Sequence, residues 1–325
     1  MQVARRLLMR AGFALAATAA AGAFAQSYPD KPVRWVVGYA AGGGSDRAVR
    51  LLATRLAERL GQPVVVDNRP GAGGIIASEV VARSVPDGYT LLTVDNGAMV
   101  FNPLLRKDLP YNPARDFASV ALYGKFPLVL TINANKVPVD SVRALIERSK
   151  ASPIDYASPG PGSPQHLVGE LFKERTGAVL THVAYKGTAP LTQDLLAGHV
   201  GISFLGVPTA LPLLQAGKLR ALAVPEAARL RDLPDVPTMA EAGVANVVGF
   251  AWQGVVVPAK TPASIVKRLH AELDTILSQP DMREKLQELG VEALVGNPSQ
   301  MDALVSEDLK FWGDIIRSRH IKLDN

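Results

Sequence analysis

The chain has 325 residues and no cysteine, and its 35 Lys and Arg against 30 Asp and Glu give a formal charge of +5. Three of the arginines, Arg5, Arg6 and Arg10, precede a short alanine-rich run, so the remainder is nearly neutral and nucleic acid is excluded as a partner. Without thiols there is no disulfide, no thiol nucleophile and no Cys-ligated metal, but a chain of this length buries a core large enough to do without cross-links.

The opening segment combines those arginines with an apolar stretch ending in Ala23-Phe24-Ala25, a small-x-small cleavage pattern. It reads as an export signal removed after Ala25, which places the mature protein in the periplasm. A membrane-spanning helix would need about 20 predominantly apolar residues, and Tyr28-Pro29-Asp30-Lys31-Pro32 follows too soon.

After Pro32 the run VRWVVGY predicts a buried strand, and the following segment puts Val49, Leu52, Leu56 and Leu60 on one helical face closed by Gly61. PVVVDNR predicts a second strand, IIASEVVARSV a second helix and YTLLTVD a third strand ending at Asn96. This alternation implies an α/β fold with a parallel sheet covered on both faces, whose ligands bind at the carboxyl ends of the strands. A strand FPLVLTINA from Phe126, a helix VDSVRALIERS and a strand IDYAS restart the pattern. Ser163 is placed to cap the next helix with Pro164 at its first position. Strands and helices then alternate through THVAYKG, PLTQDLLAG, HVGISFLG and LRALAV, a second α/β lobe. FAWQGVVVP returns the chain to the first lobe, and two amphipathic helices, PASIVKRLHAELDTILS and SQMDALVSEDLKFWGDII, complete it. The expected division is 1–25 signal, 26–125 with 250–325 first lobe, and 126–249 second lobe, two crossings making a hinge.

Two glycine-rich loops carry the chemistry. AAGGGSD, from Ala40 through Ala41, Gly43, Gly44 and Ser45 to Asp46, and SPGPGS, with Ser158, Gly160, Gly162 and Ser163, each follow a strand and open a helix. Main chain without side chains at a helix start offers unpaired N–H groups and the positive end of the macrodipole to a carboxylate or phosphate. The same residues also suit a tight turn with Asp46 as cap. The run Asn68-Arg69-Pro70-Gly71-Ala72-Gly73-Gly74 fails the dinucleotide fingerprint because Ile76 stands where the last glycine belongs, and it reads as a structural turn beside the cleft. None of the five histidines has metal-ligand spacing, so neither a metal nor a cofactor is expected. His166 lies near the second loop, as a structural or capping group or as a ligand contact. Ser158 or Ser163 with His166 lacks the third, orienting carboxylate of a hydrolytic triad.

YPDKPVRWVV, GGGSDRAVRLLA, VVVDNRPGAGG, DGYTLL, SPGPGSPQHL, YKGTAPLTQDLLAGHV, LRALAV, PDVPTMAEAGV and WQGVVVPAKTP together span nearly all of the mature chain. By these strings it resembles the extracytoplasmic solute-binding proteins of tripartite tricarboxylate transporters, the Bug receptors. The resemblance implies a two-lobed type II periplasmic binding fold, a Venus flytrap, that closes on a small carboxylated solute and delivers it to integral membrane transporter subunits. It implies a receptor and not an enzyme. A sensor's outer domain as the partner, and a small-molecule hydrolase on the same scaffold, are the alternatives. By the family pattern Tyr39, Ser45, Asp46 and Asn96 border the pocket, Thr188 and Ala189 approach from the second lobe, and Thr188 is a side-chain donor. Many relatives carry an acidic residue in the strand after DLLAG, where this chain has Gly201 and Leu205. Leu205 therefore argues against a ligand ammonium group there and for an uncharged or apolar moiety, since burying a cation without a partner is costly. The first loop also reads AAGGG where a proline is common.

Overall fold

The computed structural model describes residues 28–319; the expected signal lies outside them. In chain order the first lobe begins with β1 (Val33–Val37), α1 (Gly44–Leu60), β2 (Val64–Asn68), α2 (Ile75–Ala82), β3 (Thr90–Asp95) and β4 (Phe117–Phe126). The second comprises β5 (Leu128–Ile132), α3 (Val142–Ala151), β6 (Ile154–Ser158), α4 (Pro164–Thr176), β7 (Leu180–Ala184), α5 (Thr188–Ala197), β8 (Ile202–Gly206), α6 (Val207–Gln215) and β9 (Arg220–Ala223). The chain then returns through β10 (Ala251–Pro258), α7 (Ala263–Ser278), α8 (Pro280–Glu288), β11 (Glu292–Gly296) and α9 (Pro298–Arg319).

The strands form two mixed sheets, ordered β11-β4-β10-β3-β1-β2 and β7-β6-β8-β5-β9. Each is built around three parallel strands, β2-β1-β3 and β7-β6-β8, with an antiparallel strand, β10 or β5, beside the third. Those two antiparallel strands are the ones that enter their sheets from the other half of the molecule. Both α/β halves are therefore wound alike, with helices on both faces.

Sequence periodicity places a single strand from Phe126 onward, whereas the structure has β4 and β5 end to end in different sheets. Pro127 separates them, because a residue with no N–H cannot continue the ladder. β10 is buried along all eight residues, Gln253 included, as a strand covered on both faces requires. Three apolar clusters follow from this layering. One lies between the first sheet and α1, α7 and α8, and one under α5 and α6 in the second lobe. The third runs continuously from the first sheet into the second and includes Met301 and Trp312 of α9, whose indole packs edge-on against Phe101 at 5.0 Å.

The helix α6 is absent from the sequence reading because Pro208 and Pro212 break its pattern. Pro208 sits in the first turn, where no N–H is needed. Pro212 lies inside the helix and leaves the Pro208 carbonyl without its usual donor four residues on. α8 and β11 also went unread.

Candidate functional site

A cavity of about 40 Å³ opens at the carboxyl ends of the parallel strands, between the two sheets. Gly43, Gly44 and Ser45 reach it from the start of α1, Pro164 and Gln165 from α4, Thr188 from α5, and Gly206, Pro208 and Thr209 from the β8–α6 junction. Four helix N-termini therefore converge on one space. The cap residues of α1, α5 and α6 are Gly43, Gly187 and Gly206, and none supplies a side-chain cap. The first N–H groups of α1 and α5 are left for a ligand to satisfy, whereas at α6 the Val207 N–H donates to the Pro127 carbonyl and Pro208 has none, so Thr209 offers the first free N–H there. At α4 the Ser163 hydroxyl accepts from the His166 N–H at 3.3 Å, with Pro164 first in the helix, as the order Ser-Pro requires.

The first lobe adds Tyr39, Asp95 and Gln253, with Ala40, Phe126 and Ala251 as apolar wall. Asp95 ends β3 and lies directly across from Gln253 of β10, so both project from the same face of the sheet. The Tyr39 hydroxyl donates to one Asp95 oxygen, and the Ala98 and Gly97 N–H groups donate to its carboxylate. Burial nonetheless raises the Asp95 pKa above the ordinary carboxylate value, and burial together with the Asp95 charge pushes Tyr39 well above its own. Among the described residues, no Lys, Arg or His side chain lines the cavity. An anion placed here would meet helix ends and hydroxyls. At roughly 0.3 to 2 kcal/mol for each helix end, four supply up to about 8 kcal/mol, the scale of micromolar affinity.

The lobes are in contact around this space. A Cβ on Gly44 would lie 2.8 Å from Pro208 Cβ, so glycine is what lets α1 and α6 approach. Gly73 of the NRPGAGG turn has φ +62°, and its Cβ would meet the Pro161 carbonyl at 2.5 Å, which makes that turn a seat for the SPGPGS loop. At the rim, Arg47 donates to the Pro208 carbonyl that Pro212 leaves free.

Of the residues singled out from sequence, Tyr39, Gly43, Gly44, Ser45 and Thr188 line the cavity; Ala41, Asp46, Asn96, Ser158, Gly160, Gly162, Ser163, His166, Ala189 and Leu205 do not. Asp46 instead ties the first loop together. It accepts from Gly42 N–H at 2.9 Å, from Asn68 at 2.9 Å and from Arg50 at 2.9 Å, while Asn68 also donates to the Tyr39 carbonyl. Burial acts to raise its pKa, but the bonds from Arg50, Gly42 and Asn68 outweigh it and hold the group below the ordinary value. Asn96 donates to the Phe250 carbonyl at 2.8 Å, joining the end of β3 to the segment entering β10.

Ser158 and His166 are fully buried. The Ser158 hydroxyl bonds to His182 at 2.6 Å, and His166 Nδ1 accepts from Gly162 N–H while its ring stacks on His182 at 4.1 Å. Burial, with the nearby His182 and Lys173 charges, pushes His166 down to about 3, so it is neutral and shapes the loop. Leu205 packs in the core beneath α5 and α6. Ser158 is sealed from the cavity, and the pairing with His166 considered from sequence does not form.

The tripartite tricarboxylate transporter family receptor model matches residues 48–321. The chain belongs to this receptor family. It is 36% identical to protein BugT of Bordetella pertussis over 326 aligned residues, covering 99% of this chain and 100% of that one. Among solved structures it is similar to Rpa4515 of R. palustris with adipate, at a TM-score of 0.88 and 37% identity over 91% of this chain and 99% of that one. MatC (Rpa3494) from Rhodopseudomonas palustris with bound malate is similar at a TM-score of 0.83 and 33% identity, over 89% of this chain and 100% of that one. The two-lobed α/β architecture is thus that of periplasmic binding proteins, and family receptors hold carboxylates. Asp95, Gln165, Pro208, Thr209 and Gln253 also line the cavity, and the sequence reading missed them. A polar residue at the end of the apolar run YTLLTVD was the available signal for Asp95. A glutamine interrupting the apolar run AWQGVVVP was the signal for Gln253.

Proposed function

We propose that this protein is an exported periplasmic receptor that captures a small carboxylated solute between two lobes, 26–125 with 250–325 and 126–249, and hands it to the membrane subunits of a tripartite tricarboxylate-type transporter. The signal is removed near Ala25. The observation that carries this reading is the convergence of four helix N-termini from both lobes, three without side-chain caps, on a cavity with no cationic wall. Binding of adipate and malate by the two relatives supports it. The carboxylate takes the place of the missing caps on α1, α5 and α6 and so bridges the lobes. It drives closure because those contacts exist only when the lobes meet, and a ligand shifts an equilibrium only through such a difference. Tyr39, Gly43, Gly44, Ser45 and Thr188 are assigned to ligand contact. Asp46, Asn96, Ser158, Gly160, Gly162, Ser163 and His166 hold the contacting loops in shape.

Native mass spectrometry of gently purified mature protein, followed by calorimetric titration with a panel of small carboxylates, tests the proposal. The expected result is a solute released unchanged and at least one carboxylate bound near micromolar. A protein that binds none, or that chemically alters its solute, overturns it. Co-purification with membrane transporter subunits tests delivery, and a sensor protein in their place would redirect that part of the reading.

A further inference from the structure

Gln253 sits at the end of a buried chain of hydrogen bonds that the receptor reading leaves unexplained. Trp35, Thr93 and Tyr123 lie on β1, β3 and β4 and, with Gln253 on β10, take one residue from each of four neighbouring strands. The Trp35 indole, fully buried, donates to Thr93 Oγ1 at 2.9 Å. An indole N–H is a donor only, so Thr93 accepts there, and its own hydrogen turns to the adjacent Tyr123 oxygen. The Tyr123 hydroxyl then donates to Gln253 Oε1, and the Ser45 hydroxyl donates to the same oxygen at 2.9 Å. What remains of the Gln253 side chain, which is only 4% exposed, is its NH2 group at the cavity wall.

The neighbouring carboxylate does not counter this donor. Asp95, across the strand pair from Gln253, spends its oxygens on Tyr39, Ala98 and Gly97. At Gln253 itself this corner of the cleft therefore offers a hydrogen-bond donor and no amide acceptor, because Oε1 is taken by Tyr123 and Ser45.

We propose that Gln253 is a specificity-determining residue of the cleft. Its amide NH2, pointed inward by the Trp35–Thr93–Tyr123 chain and by Ser45, selects acids that present an oxygen acceptor there and rejects acids that present an ammonium. Tyr123 is a positioning residue that acts through Gln253. The inference rests on the receptor reading above and adds the solute class, hydroxy or unsubstituted carboxylic acids over amino acids. It has a physical precedent in the strong rejection of ligands that leave a buried polar group unpaired.

The test is calorimetric titration of matched pairs, malate with aspartate and adipate with 2-aminoadipate, against the full mature protein and its variants. Wild type is expected to favour the member lacking the ammonium by at least about tenfold in one pair or both. Gln253→Glu replaces the donor with an acceptor and is expected to cut that ratio at least tenfold. Tyr123→Phe releases the amide and is expected to lower the ratio about threefold with the melting temperature little changed, which a purely structural role would not do. Should the carboxylate buried by Gln253→Glu unfold the protein, Gln253→Leu removes the donor without adding charge and is expected to lower the ratio as well. A wild-type protein that binds no carboxylate in the panel overturns the receptor reading and this proposal with it. If wild type binds carboxylates but shows no preference within either pair, or the ratio stays put in the Gln253 variants, this proposal alone falls.

Discussion

The two walls of the cleft are built by different means. In the first lobe the polar lining groups are already bonded to protein: Tyr39 to Asp95, Ser45 and Tyr123 to Gln253, and Asp46 to Gly42, Asn68 and Arg50 behind them. In the second lobe the contribution is mostly main chain at helix starts, and the buried Gln165 Oε1 has no partner. The first wall has its side chains fixed by protein partners, whereas the second presents N–H groups that a solute would complete. A preorganised wall discriminates, because its groups cannot turn to suit a wrong ligand. A wall of helix ends attracts any anion and converts that attraction into closure.

The comparison is broken most severely at the point where the walls touch. Gly44→Val puts a Cβ 2.8 Å from Pro208 Cβ and adds two methyl groups beyond it. We expect at least a 100-fold loss of affinity, about 2.7 kcal/mol, for every carboxylate, with small-angle scattering showing an open molecule at saturating ligand. Unchanged affinity in this variant would sink the assignment of the first loop.

Dismantling the preorganised wall comes next. Asp46→Ala strands the Gly42, Asn68 and Arg50 donors, and thermal unfolding is expected to show about 1 to 3 kcal/mol of lost stability. The pH dependence has a definite sign. With its folded pKa held below the unfolded value near 3.8, Asp46 contributes stability that is present above that value and lost as pH falls through the folded pKa. In an acid titration of stability, the difference between wild type and Asp46→Asn should therefore shrink below about pH 4. A constant gap down to about pH 2 would contradict it.

Smaller effects are expected from the closing wall. Arg47→Ala removes the bond across the rim to the Pro208 carbonyl, and stopped-flow release should quicken about fivefold, roughly 1 kcal/mol, with the association rate unaltered. Pro212→Ala restores the helical N–H that competes for that carbonyl, and should quicken release in the same direction. Thr188→Ala is expected to weaken all carboxylates by no more than about threefold and to leave the ranking among them as it was, since the α5 main chain remains. A change of ranking in that variant would move discrimination into the second wall.

How much of this the sequence disclosed follows the same division. The second wall was largely legible, because Ser163-Pro164 and the glycines before α1 and α5 are local signals that need no partner to be understood. α6 was hidden by Pro208 and Pro212, residues that usually end helices, although here Arg47 accommodates the carbonyl they leave open. The first wall was only half legible. Ser45 sits in the glycine loop, and Tyr39, just before it, was reached through the family pattern, but Asp95 and Gln253 matter through their cross-strand register and through Tyr123 on a strand that was itself unread. His166 was read from its nearness in sequence to the second loop, and Leu205 from the acidic residue that relatives carry at its place in the strand after DLLAG. A residue adjacent along the chain can still face the core, as both do, because side-chain direction at those positions is decided by packing from other elements.

Four helices aimed at one point also bring four like-signed ends together. Without an anion between them those ends repel, so closing an empty cleft works against its own electrostatics. We expect the solute to act as the counter-ion that offsets this repulsion in the closed shape, in which the lobes touch. Any small oxyanion supplied in quantity, such as sulfate, phosphate or citrate from a buffer, can serve as that counter-ion and compete with the true solute. Titrations in chloride with a cationic buffer, set beside the same titrations in phosphate, measure how much of the receptor's apparent affinity is lent to whichever anion arrives first.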